Sequence, residues 1–127
     1  MDECAACGIC KKKCVVGAIS DSPVINADLC INKYTYRLDP VPEHVPTEAF
    51  NALIGCWLCQ ASCPANPVLP EGAVHSLKLD DAETRAFLAY DTPMPPELHA
   101  KLGGFFKNEH LLSVAGRNAA LALRNIK

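Results

Sequence analysis

In the second half of the chain, apolar positions recur at three- and four-residue steps. Leu111, Leu112, Ala115, Ala119, Ala122 and Ile126 mark one face of a helix, with Asn108 placed to cap it. That stripe is expected to pack against a neighbouring element rather than lie on a membrane. Ahead of it, a loop from Pro93 leads to Pro96, which opens a short helix through Leu98 and Leu102 that stops at Gly103-Gly104. Earlier still, Asp80 and Glu83 stand at capping-box spacing before Ala86-Phe87-Leu88. From Glu71 onward the pattern therefore predicts a helical appendage, residues 71–127.

The first half lacks that periodicity. Gly17 to Ser20 and Pro23 to Asn26 flank Asp21-Ser22 and predict two short strands around a tight turn. Pro40, Pro42 and Pro46 make the next stretch read as loop, and Thr47 to Ile54 then predicts a short helix with Thr47 as N-cap. Pro64, Pro67 and Pro70 close this half, so residues 1–70 are expected to form one domain.

Composition changes the picture at one point. The chain has 127 residues and eight cysteines, all between Cys4 and Cys63, and none in the 64 residues that follow. A density this high within one half belongs to a disulfide framework or a metal module. The start, Met1-Asp2-Glu3, has neither a basic nor an apolar leader region, and no run approaches the roughly 18 apolar residues of a membrane span. A cytoplasmic setting follows as the expectation, and there clustered cysteines act more often as ligands or redox groups than as bridges. A net charge of −2 excludes a polycationic nucleic-acid arm and an acidic solvating tail. No Walker, GxGxxG, GxSxG or HExxH pattern is present. His44, His75, His99 and His110 form no ligand set and are expected on the surface or in packing.

Cys4, Cys7, Cys10 and Cys14 stand in C-x2-C-x2-C-x3-C spacing, while Cys30 stands alone before Cys56, Cys59 and Cys63-Pro64. Three thiolates two residues apart can wrap one corner of an inorganic cube. The run resembles that of bacterial two-cluster ferredoxins, whose fourth cysteine ligates the other cluster. That resemblance implies two [4Fe–4S] clusters, one on Cys4, Cys7, Cys10 and Cys63, the other on Cys14, Cys30, Cys56 and Cys59. It also implies an α+β, bacterial two-cluster ferredoxin-like core, with residues 33–55 as an insertion between Cys30 and Cys56. Two four-cysteine zinc sites would use the same residues, although structural zinc sites favour separated C-x2-C knuckles. A disulfide framework is the third alternative.

The neighbouring residues suit a cluster. Ala5, Ala6, Gly8 and Ile9 allow close backbone approach and a dry shell. Lys11-Lys12-Lys13 either offsets cluster charge or forms a solvated face, and a docking patch for an acidic partner is a further reading. Trp57, inside the Cys56-to-Cys59 turn, is expected to shield the adjacent cluster ahead of contacting a partner. Each oxidised cluster with four thiolates carries about −2, so a loaded chain would stand nearer −6.

Cys30-Ile31-Asn32-Lys33-Tyr34-Thr35, Val45-Pro46, and Ile54-Gly55-Cys56-x2-Cys59-Gln60-x2-Cys63-Pro64-x-Asn66 resemble the iron–sulfur segment of epoxyqueuosine reductases. Corrinoid reductive dehalogenases share the arrangement more distantly. Arg117-Asn118-Ala119-Ala120-Leu121-Ala122-Leu123-Arg124-Asn125 is similar to the helical region that follows the clusters in the tRNA-modifying enzymes. Val15 and Ala65 depart from the family, which usually has proline and tryptophan there. The resemblance implies a cobalamin-dependent partner region upstream of the clusters, and with Cys4 so near Met1 the chain reads as an excised or shortened C-terminal half.

The expected function is a low-potential electron-transfer module, relaying single electrons to a redox partner or an upstream catalytic domain. No catalytic residue is assigned. The alternatives are a fragment of a cobalamin-dependent epoxyqueuosine reductase-like enzyme and a zinc-stabilised interaction domain. Contact with tRNA has weak electrostatic support, because residues 71–127 carry seven acidic and seven basic groups.

Overall fold

The computed structural model describes residues 2–21, 24–66, 77–106 and 108–124. Ser22, Pro23, Pro67, Pro70, Glu71, His75, Asn125 and Ile126, each part of an expectation above, lie outside the described residues. Within them the chain forms α1 (Asp2–Cys7), α2 (Ile9–Lys13), α3 (Leu58–Ala61), α4 (Asp81–Leu88), α5 (Pro96–Leu102) and α6 (Glu109–Leu123). Two 3₁₀ turns, Ile31–Lys33 and Thr47–Ala49, lie in the long connection between α2 and α3.

The three C-terminal helices follow from local signals. Asp80 accepts from the Glu83 N–H at 2.8 Å, and the Glu83 carboxylate accepts from the Asp80 N–H at 2.9 Å, a complete capping box for α4. Pro96 opens α5, where its missing N–H costs nothing, and Gly103 ends it. Asn108 caps α6 by accepting from the Leu111 N–H at 2.8 Å.

Two expectations for the first half fail. No strand occurs among the described residues, so the α+β ferredoxin-like core is corrected to helices and loops. The stretch expected to form a hairpin joins Asn26 N–H to Ala18 O at 2.9 Å without developing a ladder. A paired strand survives by burying one face, and here Val24 and Ile25 are 72% and 55% exposed. The helix expected over Thr47 to Ile54 shortens to the 3₁₀ turn Thr47–Ala49, with Pro46 rather than Thr47 in the capping position. Asn51 closes that turn, its side-chain amide donating back to Ala49 O at 2.7 Å.

Two apolar clusters hold the chain. Phe87, Leu98, Leu102, Leu112, Ala115 and Ala119 bring α4, α5 and α6 together. Ile31, Val45, Ala49 and Phe50 form the second, onto which Leu121 and Ala122 of α6 pack. Helix α6 thus belongs to both. At Gly116 the end of α4 comes close to α6, since a Cβ there would lie 2.3 Å from Phe87 O.

Between the clusters, α6 buries two polar residues that the apolar stripe does not include. Asn118 is fully buried and donates to Thr35 O at 3.0 Å and Leu53 O at 2.7 Å. Arg117 donates to Asp39 O, Tyr34 O and the Asn118 side-chain oxygen, and its guanidinium lies 5.9 Å from the centre of the Phe50 ring. Burial holds the Arg117 guanidinium below its ordinary pKa, with Tyr90 and Asp39 opposing that shift. Carbonyl oxygens solvate this cation in place of water, which makes its burial tolerable.

Candidate metal centre

The cysteines stand where short helices end. Gly8 adopts a left-handed φ of 61° between α1 and α2, so Cys7 closes one helix and Cys10 lies in the next. An L-residue other than glycine is strained there. This break keeps the C-x2-C-x2-C run from continuing as one helix. Cys14 follows α2 directly, and Cys63 lies two residues beyond α3, which contains Cys59. In each case four positions separate a cysteine in the helix from the one past its end, a rise of about 6 Å.

All eight cysteines are free; Cys4 and Cys7 are exposed and the other six half-buried. They gather as two groups of four. One cavity, about 260 Å³, is lined by Cys4, Cys7, Cys10 and Cys63 with Gly8, Ile9, Pro64 and Ala65. Another, about 200 Å³, is lined by Cys14, Cys30, Cys56 and Cys59, among apolar side chains that include Val15, Ile19, Ile25 and Leu58. Each is several times the roughly 30 Å³ share of one liquid water. Packing of α2 on α3 sets the two cavities side by side, and each of these helices leads from one to the other. Among the described residues, no three His, Cys, Asp or Glu side chains converge on a point suited to one metal ion; the thiols surround voids instead. The chemistry of the donors, eight soft sulfurs in apolar shells, fits iron–sulfur ligation.

Electrostatics in the second cavity reinforce this. Burial pushes the Cys59 thiol above its ordinary pKa, and charge on Cys56, Cys14 and Cys10 adds to the rise, against its own backbone hydrogen bond. Thiolates crowded in a half-dry cavity repel one another, and a cationic metal centre reverses that penalty.

Two N–H groups already address sulfur at this cavity. The Ala18 backbone N–H donates to Cys14 Sγ at 3.2 Å, and the Asn51 side-chain amide donates to Cys56 Sγ at 3.3 Å. The Asn51 side-chain oxygen accepts from the Trp57 N–H at 3.3 Å, so one amide spans the start of the Cys56-to-Cys59 turn. On its other side, Gly55 takes a left-handed φ of 82° and donates its N–H to Thr35 Oγ1 at 3.1 Å. Thr35 is the residue whose carbonyl Asn118 holds. Hydrogen bonds therefore link α6 through Thr35 to Gly55, the residue that precedes Cys56.

Sequence reasoning missed Asn51, Thr35, Arg117 and Asn118 as residues that position the site. The last two, and Thr35, stood in the sequence only as parts of the family resemblance, with no positioning role attached. Gln60 and Asn66, noted in the sequence for resemblance alone, form a clamp. Asn66 donates to Gln60 O and to Gln60 Oε1, both at 2.8 Å, and closes the Cys63-Pro64 turn. Trp57 does not shield the cavity as expected: it is 63% exposed, because the turn faces its side chain outward. Lys11 pairs with Asp21 at 2.7 Å on the surface, while Lys12 and Lys13 are exposed. The described histidines stay outside both cavities. His44 meets the Tyr34 ring edge-on, His99 lies 3.9 Å from Glu109, and His110 reaches Tyr36 O.

Comparison with known proteins points to the same class of chemistry. A family model described as a 4Fe-4S double cluster binding domain matches residues 3–66. The epoxyqueuosine reductase of Bacillus subtilis (strain 168) is 35% identical over 65 residues, which cover 51% of this chain and 17% of that protein. Its counterpart in Staphylococcus aureus (strain NCTC 8325 / PS 47) is 32% identical over 66 residues, covering 52% of this chain and 17% of the relative. In these relatives the matched segment is thus about one sixth of the full length. No solved structure matches the chain. Among the described residues, no helix is long and apolar enough to cross a membrane.

Proposed function

The chain belongs to the family of 4Fe-4S double cluster binding domains, and from that premise we propose that it is a low-potential electron-transfer module carrying two [4Fe–4S] clusters. One would be held by Cys4, Cys7, Cys10 and Cys63, the other by Cys14, Cys30, Cys56 and Cys59. The observation that supports this most is the gathering of these same two sets of four thiols around two adjacent cavities. When bound, such clusters supply one-electron exchange at potentials set by hydrogen bonds to sulfur, charge and solvent exposure. The chain's own residues hold the sulfurs, dry the shell with Ile9, Ile19 and Leu58, and donate N–H groups to Cys14 and Cys56. Adjacency of the cavities through α2 and α3 favours exchange between them and onward to a redox partner or catalytic domain. Eight free thiols suit a reducing, cytoplasmic setting.

The test is anaerobic iron and sulfide analysis, with EPR of the dithionite-reduced protein. About eight irons per chain and coupled S = 1/2 signals are expected; fewer than about seven overturns the two-cluster reading. Redox-silent metal would instead favour a zinc-stabilised interaction domain.

The named relatives favour a second reading, in which the chain is the cluster-bearing part of an epoxyqueuosine reductase-like enzyme acting on tRNA with a cobalamin-binding domain. Electron delivery from the reduced chain to a cobalamin-loaded catalytic domain, added separately or fused upstream, would support it. Absence of any transfer would count against it.

A further inference from the structure

Asn51 is the only described side chain outside the cysteines that donates to a cysteine sulfur. It does so from the end of the long connection, and it is committed in three directions. The amide nitrogen donates to Ala49 O at 2.7 Å and to Cys56 Sγ at 3.3 Å, and the oxygen accepts from the Trp57 N–H at 3.3 Å. The first contact fixes the amide against the 3₁₀ turn; the third fixes which end faces sulfur. A carbonyl oxygen beside the Trp57 N–H leaves only the NH₂ group for Cys56. The orientation is thus dictated by its partners.

A donor to a cluster-ligating thiolate stabilises the more negative state, so it raises the reduction potential of the cluster that the thiolate holds. Among the described residues, both N–H donors to cysteine sulfur address Cys14 and Cys56, which line the same cavity. The backbone donor at Ala18 survives any side-chain change, whereas Asn51 alone is set by sequence. We propose that Asn51 is a positioning residue that tunes one cluster through Cys56 and makes the two clusters redox-inequivalent. This rests on the two-cluster reading above.

Asn51→Asp and the uncharged Asn51→Ala both remove the donor to Cys56 together with the bond to Ala49 O. Iron content is therefore measured beside each midpoint to keep folding and tuning apart. In Asn51→Asp the carboxylate keeps an acceptor for the Trp57 N–H. Redox titration of the reconstituted full chain, followed by EPR, reads each midpoint, and Cys56→Ser identifies which signal belongs to the Cys56 cluster. In Asn51→Asp and Asn51→Ala that cluster's reduction equilibrium constant is expected to fall three- to tenfold, tenfold being about 59 mV for one electron. The other midpoint stays where it was. Asn51→Ser, which keeps a short donor, should recover part of the shift; it also serves if the alanine variant loses iron. Unchanged midpoints at full iron content, or equal movement of both, overturn the proposal. A wild-type chain without two reducible clusters would sink the functional reading itself, which is a distinguishable result.

Discussion

Asn118 donates its side-chain amide to the carbonyl of Leu53 at 2.7 Å, joining positions 65 residues apart. The same amide nitrogen donates to Thr35 O, so one buried side chain ties both ends of the segment between Cys30 and Cys56 to helix α6. From Thr35 the link continues through Gly55 to Cys56. A helix that carries no cysteine thereby helps to place one.

Replacing Asn118 by Ala removes the donor to the buried Thr35 carbonyl and to the part-buried Leu53 carbonyl, and takes an acceptor from Arg117. The expected cost is about 2–4 kcal/mol, one to two unsatisfied buried groups. Chemical denaturation should register it. Iron content should fall first at the Cys56 cluster; equal retention of both clusters would break the proposed link.

Gly116→Ala tests the contact between α4 and α6. In an open helix this change stabilises by about 1 kcal/mol. Here the new methyl would lie 2.3 Å from Phe87 O and 3.0 Å from the Tyr90 Cβ. The helices must separate, and a net loss of about 1–3 kcal/mol is expected from overpacking. A higher urea midpoint in the variant would contradict that close approach.

The crossed cysteine sets make a qualitative prediction. Cys63→Ser should damage the cluster proposed on Cys4, Cys7 and Cys10, and Cys14→Ser the one proposed on Cys30, Cys56 and Cys59. EPR of the reduced variants distinguishes them. Loss of the Cys56 cluster in Cys63→Ser would mean that the sets are drawn wrongly.

The capping box of α4 carries a pH dependence. A hydrogen bond from Lys101 holds the Glu83 carboxyl below its ordinary value of 4.5, helped by the Asp80 N–H. The folded-state value is the depressed one, so this stabilisation is present above pH 4.5 and is lost as pH falls through the folded-state value. Wild type should therefore exceed Glu83→Gln in stability near neutrality, and the gap should close on acidification. A gap that does not narrow at all on acidification below 4.5 would assign the effect to packing.

The features that sequence determined by itself are those whose physics is local. Capping at Asp80 and Asn108 depends on hydrogen bonds within one turn of helix, and Pro96 opens α5 through its fixed φ and missing N–H; all three helices begin where those residues place them. The cysteine spacing likewise pointed to 4Fe-4S binding, the chemistry of the family whose model matches residues 3–66. Other outcomes depend on partners far away in the chain, and only the tertiary structure decided them. Val24 and Ile25 stay largely exposed, and the expected hairpin does not form, although the composition of the stretch suits strands. The stretch after Thr47 stops at one turn because Asn51 folds back on Ala49 and toward Cys56. Trp57 faces outward although its place between two cysteines suggests a shield. Arg117 and Asn118 interrupt an apolar stripe and look misplaced until the carbonyls of Tyr34, Thr35, Asp39 and Leu53 are seen around them. Spacing along the chain encodes which atoms can ligate or cap; which buried polar groups find partners is encoded in packing, because those partners meet only once the chain has folded.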